Sequence, residues 1–159
     1  MTNLNDLMKE IQASKIQVKM ESQNRLGITV EKEKLREVAS ILKSKGLDHV
    51  ISVTGMDYAE ESRFEVVYHL SSYSDKDLTS AIVALRTSTK YEDPQIPSLY
   101  SVYESAWTGE RETYEMLGIF FEGNPDMRRM FLPEDFEGVY PLRKSFKIKL
   151  EGVFVDKPV

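Results

Sequence analysis

The sequence predicts an α+β fold, with a mixed sheet of four to five strands and packed helices, followed by an extended C-terminal arm. Three observations lead there. Helical and strand-like hydrophobic periods alternate along most of the chain. Runs rich in β-branched and aromatic residues, such as Phe64–Leu70, are bounded by polar turns. The run Gly109–Phe146, GERETYEMLGIFFEGNPDMRRMFLPEDFEGVYPLRKSF, ends one helix and then keeps no regular period, although it holds half of the chain's 8 glycines and 6 prolines. A long segment of that kind makes poor core. Residues 1–118 are therefore expected to form the globular domain, and residues 119–159 an arm that docks on a partner.

At 159 residues and 41% hydrophobic composition the chain suits one domain with a real core. It contains no apolar run of the roughly 18–20 residues that a membrane span requires. Asp6, Lys9 and Glu10 also deny its start the apolar centre of a secretory signal, so a cytoplasmic chain is expected. With 0 cysteines it forms no disulfide and offers no thiolate to zinc or to an iron–sulfur cluster. A net charge of -5 argues against nucleic acid as a partner, because phosphate neutralisation calls for a basic stripe.

The elements follow in order. Leu4, Leu7, Met8 and Ile11 at helical spacing predict a short amphipathic helix ending near Ser14. Its single lysine among the first ten residues favours packing on the sheet or on a sister protein over a membrane surface. Ile16–Met20 and Gly27–Val30 read as a hairpin around the polar turn Glu21–Arg25. Leu35, Val38, Ile41 and Leu42 mark one face of a helix from about Glu31, with Lys43 and Lys45 in its last turn and Gly46 as its stop. His49–Thr54 and Phe64–Leu70 form a second hairpin through Asp57–Ser62. Ser74 with Asp77 resembles a capping box and predicts a helix through Leu78, Ile82 and Leu85. A strand over about Arg86–Tyr91 precedes a loop punctuated by Pro94 and Pro97, and Ser98 can cap a helix over Leu99–Leu117.

That last helix contains a conflict. At 100° per residue, Tyr103, Ala106, Trp107, Tyr114 and Leu117 share a face, and Glu110 falls among them. A buried carboxylate needs a partner, and Arg128, Arg129 and Arg143 in the tail are the candidates; otherwise the helix turns Glu110 to water. Gly118 terminates the helix. Beyond it come Ile119-Phe120-Phe121, a turn at Gly123-Asn124-Pro125-Asp126, and the pair Arg128-Arg129, which either clamps carboxylates of this chain or a neighbour, or stays solvated. Pro133, Gly138 and Pro141 keep the backbone extended. Phe131, Phe136, Tyr140 and Phe146 are anchors at irregular spacing, suited to a partner's groove or to the domain's own surface.

Glu110-Arg111-Glu112, Tyr114, Leu117-Gly118-Ile119, Pro125-Asp126, Arg128-Arg129 and Pro141-Leu142-Arg143-Lys144 together resemble the signature of the 30 kDa hydrophilic subunit of respiratory complex I. That family includes counterparts in archaeal deazaflavin-dependent dehydrogenases and membrane-bound hydrogenases. The match spans Ser98–Phe146, and it departs from the family pattern at Glu115 for Asp, Asn124 for His and Ser145 for Asp. The resemblance implies a non-catalytic subunit of an NADH or reduced-deazaflavin:quinone oxidoreductase that pumps ions. Such a subunit braces the large quinone-site subunit beside the iron–sulfur subunits, on the cytoplasmic face of the cell membrane. It implies no cofactor on this chain, with iron–sulfur clusters and a flavin or nickel–iron site in the partners. The partner-binding residues so implied are Arg128, Arg129, Phe131, Phe136, Tyr140, Pro141, Leu142, Arg143 and Lys144, with a structural ion pair among Glu110, Arg111 and Glu112. The close of the chain at Val159 resembles compact forms of this family rather than fusions to the large subunit.

The residues themselves agree with a chain that carries no chemistry of its own. Gly109, Gly118 and Gly123 make no dinucleotide fingerprint. His49 and His69 stand at unrelated spacing on expected strands, which reads as structural. Glu110 and Glu112, two apart on a helix, cannot flank one bond. Ser72 and Ser145 lack a nucleophile-elbow motif. The alternatives are the equivalent subunit of an energy-converting nickel–iron hydrogenase and, in another class, a free-standing soluble adaptor.

Overall fold

Alternation sends Val18 and Met20 of β1 (Gln17–Ser22) and Leu26 and Ile28 of β2 (Arg25–Thr29) to one side, where they meet the core. The structure, a computed structural model that describes residues 4–13 and 16–148, thus begins its sheet with the expected hairpin, turning tightly at Gln23-Asn24. β3 (His49–Tyr58) and β4 (Arg63–Ser71) make the second hairpin, and β5 (Ile82–Lys90) joins the two. The order is β1-β2-β5-β4-β3, antiparallel except for the parallel β2–β5 pair. This is the mixed five-stranded sheet of an α+β fold. Helix α1 (Leu4–Ala13) and α2 (Leu35–Ser44) cover one face of it through Leu4, Leu7, Ile11, Leu35, Val38 and Leu42. Gly46, at φ +99°, stops α2 as expected.

Three expectations are corrected. The helix through Leu78, Ile82 and Leu85 is not formed. Asp75 and Leu78 carbonyls accept turn bonds from Leu78 and Ala81, Ser72 Oγ caps Asp75, and the chain then enters β5. Val83, Leu85, Thr87 and Thr89 are buried at alternate positions, and the ladders offered by β2 and β4 override the local helical spacing. The helix expected from Leu99 begins only at Trp107, as α3 (Trp107–Leu117), because Tyr103 is extended and its hydroxyl donates to the carbonyls of Leu47 at 2.8 Å and Ala39 at 3.2 Å. Finally, Gln95–Pro97 (β6) and Phe120–Glu122 (β7) pair in parallel as a small second sheet. Ile119 and Phe121 are fully buried, so the core runs past residue 118.

Helix α3 lies against β3 at close range. A Cβ on Gly55 would stand 2.5 Å from a Leu117 methyl and 2.6 Å from the Thr113 methyl, and both neighbours are buried. Gly55→Val should therefore destabilise the domain by about 1–3 kcal/mol through overpacking. Urea unfolding checks this, and a variant as stable as the parent would show that α3 does not seat on β3 in this way.

Candidate functional site

The residues that hold the C-terminal arm converge on α3. Glu110 is fully buried, as its place in the apolar stripe suggests, but its partners are four neutral donors and not Arg128, Arg129 or Arg143. Tyr68 Oη donates to it at 3.0 Å, Ser98 Oγ at 2.5 Å, the Leu99 amide at 2.8 Å and Asn124 Nδ2 at 2.8 Å. One carboxylate thereby joins β4, the residues after β6, α3 and the turn that launches the arm. Burial lifts its pKa above the ordinary value, and the donors from Ser98, Asn124, Leu99 and Tyr68 oppose that rise. Tyr68, also buried, has its hydroxyl pKa raised by burial and by the nearby carboxylate.

The ion pair expected within Glu110, Arg111 and Glu112 is not formed among the described residues. Glu112 is exposed, and Arg111 turns away to the arm. Its Nε and Nη2 donate to the Arg128 carbonyl at 3.1 and 3.0 Å, and its Nη1 lies 3.6 Å from Asp126 Oδ2. Asp126 also takes both Arg128 Nε at 2.7 Å and Nη2 at 2.9 Å, and these bonds with the two guanidinium charges hold its carboxyl well below the usual range.

Glu115, about one and a half turns further along α3, stands out in the sequence only as a departure from Asp. It is 2% exposed and accepts three consecutive arm amides: Met130 at 3.0 Å, Phe131 at 3.0 Å and Leu132 at 2.6 Å. Burial opposes its charge, but the amides of Leu132, Met130 and Phe131 with nearby Arg129 prevail and lower its pKa. The signal in the sequence is one of accounting, since a half-buried stretch without a ladder must find acceptors for its N–H groups. The end of α3 supplies more. Arg143 Nε donates to the Leu117 carbonyl at 2.7 Å and the Leu142 amide to that of Met116 at 3.1 Å. Gly118, at φ +78°, leaves room for the Tyr140 ring and the Arg143 guanidinium, which would stand 2.7 and 2.6 Å from a Cβ. The Lys144 amide reaches Asp57 of β3 at 2.7 Å.

The implied partner-binding residues thus fall into two groups. Tyr140 and Arg143 are half-buried and engaged within the chain, Arg143 lying over the Tyr140 and Phe64 rings, and Phe136 and Pro141 are half-buried. Arg129 donates to the Pro133 carbonyl at 3.2 Å. Phe131, Leu142 and Lys144 face outward, the first two 64% and 59% exposed, and Ile148 continues the line. The Arg128 side chain is exposed although paired. Residues 149–159 of the expected arm lie outside the described residues.

The histidines sit apart. His49 stacks on Tyr73 at 3.6 Å and meets Asp48, while His69 shares a hydrogen bond with Ser52. Among the described residues no group of three or more His, Cys, Asp or Glu side chains could hold a metal ion, and no helix is long and apolar enough to cross a membrane. What the arrangement offers is a surface whose backbone is fixed from beneath.

Comparison with known proteins gives that surface a setting. Residues 28–151 match the family described as the respiratory-chain NADH dehydrogenase 30 Kd subunit. Over 129 residues the chain is 40% identical to the C subunit of the F(420)H(2) dehydrogenase of Methanosarcina mazei, covering 80% of this chain and 79% of that one. Over 126 residues it is 34% identical to the C subunit of the NADH-quinone oxidoreductase of Moorella thermoacetica, covering 79% and 82%. A chain in the structure of an archaeal membrane-bound sulfane sulfur reductase shares the fold over 98% of this chain and 94% of its own, with TM-score 0.85 and 24% identity.

The buried carboxylates make two expectations measurable. Glu110→Ala strands four donors and should cost at least about 3 kcal/mol in urea unfolding, and Glu110→Gln about 2 kcal/mol, since the Gln amide adds a donor among donors; parent-like stability in both would refute the network. Glu115→Gln should cost about 2 kcal/mol at roughly pH 7. Because the folded pKa of Glu115 is depressed, its contribution is present above the unfolded value of about 4.3 and is lost as pH falls through the lower folded value. The stability gap between the parent and Glu115→Gln should therefore close in acid, and a gap independent of pH would contradict the assignment.

Proposed function

The chain belongs to the family of the 30 kDa subunit of respiratory-chain NADH dehydrogenase, and on that premise we propose that it is a non-catalytic structural subunit of a complex I-like, ion-translocating oxidoreductase. It sits in the peripheral part of that complex on the cytoplasmic face of the membrane, and braces the large quinone-site subunit beside the iron–sulfur subunits. Its relatives' names carry NADH with quinone in one case and F(420)H(2) in the other. Electrons accordingly come from NADH or a reduced deazaflavin and pass to quinone or an analogous membrane carrier, through iron–sulfur clusters and a flavin held by partner chains.

One observation carries the bracing role. The arm presents Phe131 and Leu142 to solvent on a backbone already tied to α3 and β3, with Ile148 exposed beyond them. Large apolar side chains on a fixed backbone lose little further entropy on docking, which is what a permanent interface rewards. Arg128 and Lys144 flank them and pair with acidic groups of the large subunit. Arg143 acts differently, as a clamp that keeps the arm in place, and reversing its charge would disturb the chain itself.

The double variant Phe131→Asp with Leu142→Asp separates docking from folding. The isolated variant should melt like the parent, because both side chains are exposed, while the purified complex should lose this protein and its quinone-reducing activity. Full retention with parental electron transfer would rule out the arm as the docking surface.

A further inference from the structure

Among the described residues the helices pack on one face of the five-stranded sheet, and the other face is left open. Strand alternation places Lys19, Arg25, Arg63, Arg86 and Lys90 on that face against Glu21 and Glu65, in a chain whose overall charge is -5. The carboxylates are already used. Glu21 pairs with Arg86 at 2.8 Å, and Arg63 is held by Glu65 at 3.0 Å and by Glu61 from the adjoining turn at 2.6 Å. Lys19, Arg25 and Lys90 are left without an ion pair among the described residues, so the open face is locally cationic.

The face also has relief. Gly27 of β2 and Ala84 of β5 are register partners, and Ala84 in turn pairs with His69 of β4. The Arg86–Glu21 pair occupies the space above Gly27, while Ala84 floors a hollow of about 220 Å³ bounded by Arg25, Ile82, Ile51, Ser52, His69 and Glu21. Ile51 is the extra residue at the β3 irregularity, 52% exposed, and so stands as an apolar rim. Burial and the positive charges of Arg86 and Arg25 hold the His69 imidazole below its ordinary pKa, with only Glu21 acting against them. Arg25 lines the hollow itself, and the Arg86 guanidinium stands over neighbouring Gly27.

We propose that this open face is a second docking surface, taking an acidic polypeptide segment of a neighbouring subunit whose carboxylate pairs with Arg25 while an adjacent apolar side chain fills the hollow against Ile51 and Ile82. Charge complementarity selects the occupant. Unpaired Arg25 beside a hollow rimmed by Ile51 and Ile82 calls for a carboxylate next to an apolar side chain, a combination that a polypeptide presents at discrete points and a lipid headgroup layer does not. The proposal rests on membership of a complex as argued above, but not on the arm.

The test uses the assembled complex purified from cells, with the photo-crosslinker p-benzoylphenylalanine in place of Ile51 and the linked peptide sequenced by mass spectrometry. A peptide of another subunit with Asp or Glu beside an apolar residue is expected. Adding Arg25→Glu should cut its yield several-fold while the chain stays in the complex through its arm. Crosslinks to lipid, none to another subunit, or a yield indifferent to Arg25→Glu would overturn the proposal alone. A chain that purifies without companions would overturn both this surface and the bracing role. Because Arg25 is exposed and has no ion pair, unchanged melting of Arg25→Glu serves as the folding control.

Discussion

Backbone N–H groups outside any ladder must find acceptors, and in this protein α3 supplies them to the arm. Glu115 collects the amides of Met130, Phe131 and Leu132, while Glu110 collects the Leu99 amide together with side-chain donors from three directions. The last carbonyls of the helix, left open by its termination at Gly118, take up Leu142 and Arg143. A helix of 11 residues thereby serves two layers at once. Its apolar side and Thr113 seat it on β3 next to Gly55, and its carboxylates and C-terminus organise chain that has almost no regular structure of its own.

That division explains how an irregular segment can present a defined surface. The polar work is done on the inner side of the arm, where Arg111, Glu115 and Arg143 hold carbonyls and amides. The outer side is left to Phe131, Leu142 and Ile148. A free arm with the same side chains would have to lose backbone entropy on assembly, at roughly 1–2 kcal/mol per residue. Here much of that loss occurs within the chain, before any neighbour arrives. The open sheet face is organised by the same economy of small residues, with Gly27 beneath the Arg86–Glu21 pair and Ala84 flooring the hollow beside it.

Much of this is legible in the sequence. Two hairpins, α2 with its glycine stop, the place of Glu110 in an apolar stripe and the loss of periodicity after Gly118 all follow from spacing and turn chemistry, whereas the choice between burying Glu110 and turning it to water does not. What spacing cannot show is tertiary choice. Ile82 and Leu85 continue a helical stripe from Leu78 as well as they fit a strand, and the gap between β2 and β4 decides for the strand. β6 and β7 are three residues each, too short to have a period. The partners of Glu110 escape notice for a related reason: a buried carboxylate announces that donors are needed, but Tyr68, Ser98 and Asn124 are ordinary residues until the fold brings them together. An arginine looks like the natural partner only because it is the donor most visible in a sequence.

Amide hydrogen exchange on the isolated chain tests the central claim most directly. If α3 holds the arm from beneath, the amides of Met130, Phe131 and Leu132 are protected in the parent and lose that protection in Glu115→Ala, which removes both acceptor oxygens, while those of β4 and β5 exchange as before. Unprotected exchange at these three amides in the parent, or protection that survives the substitution, would contradict it.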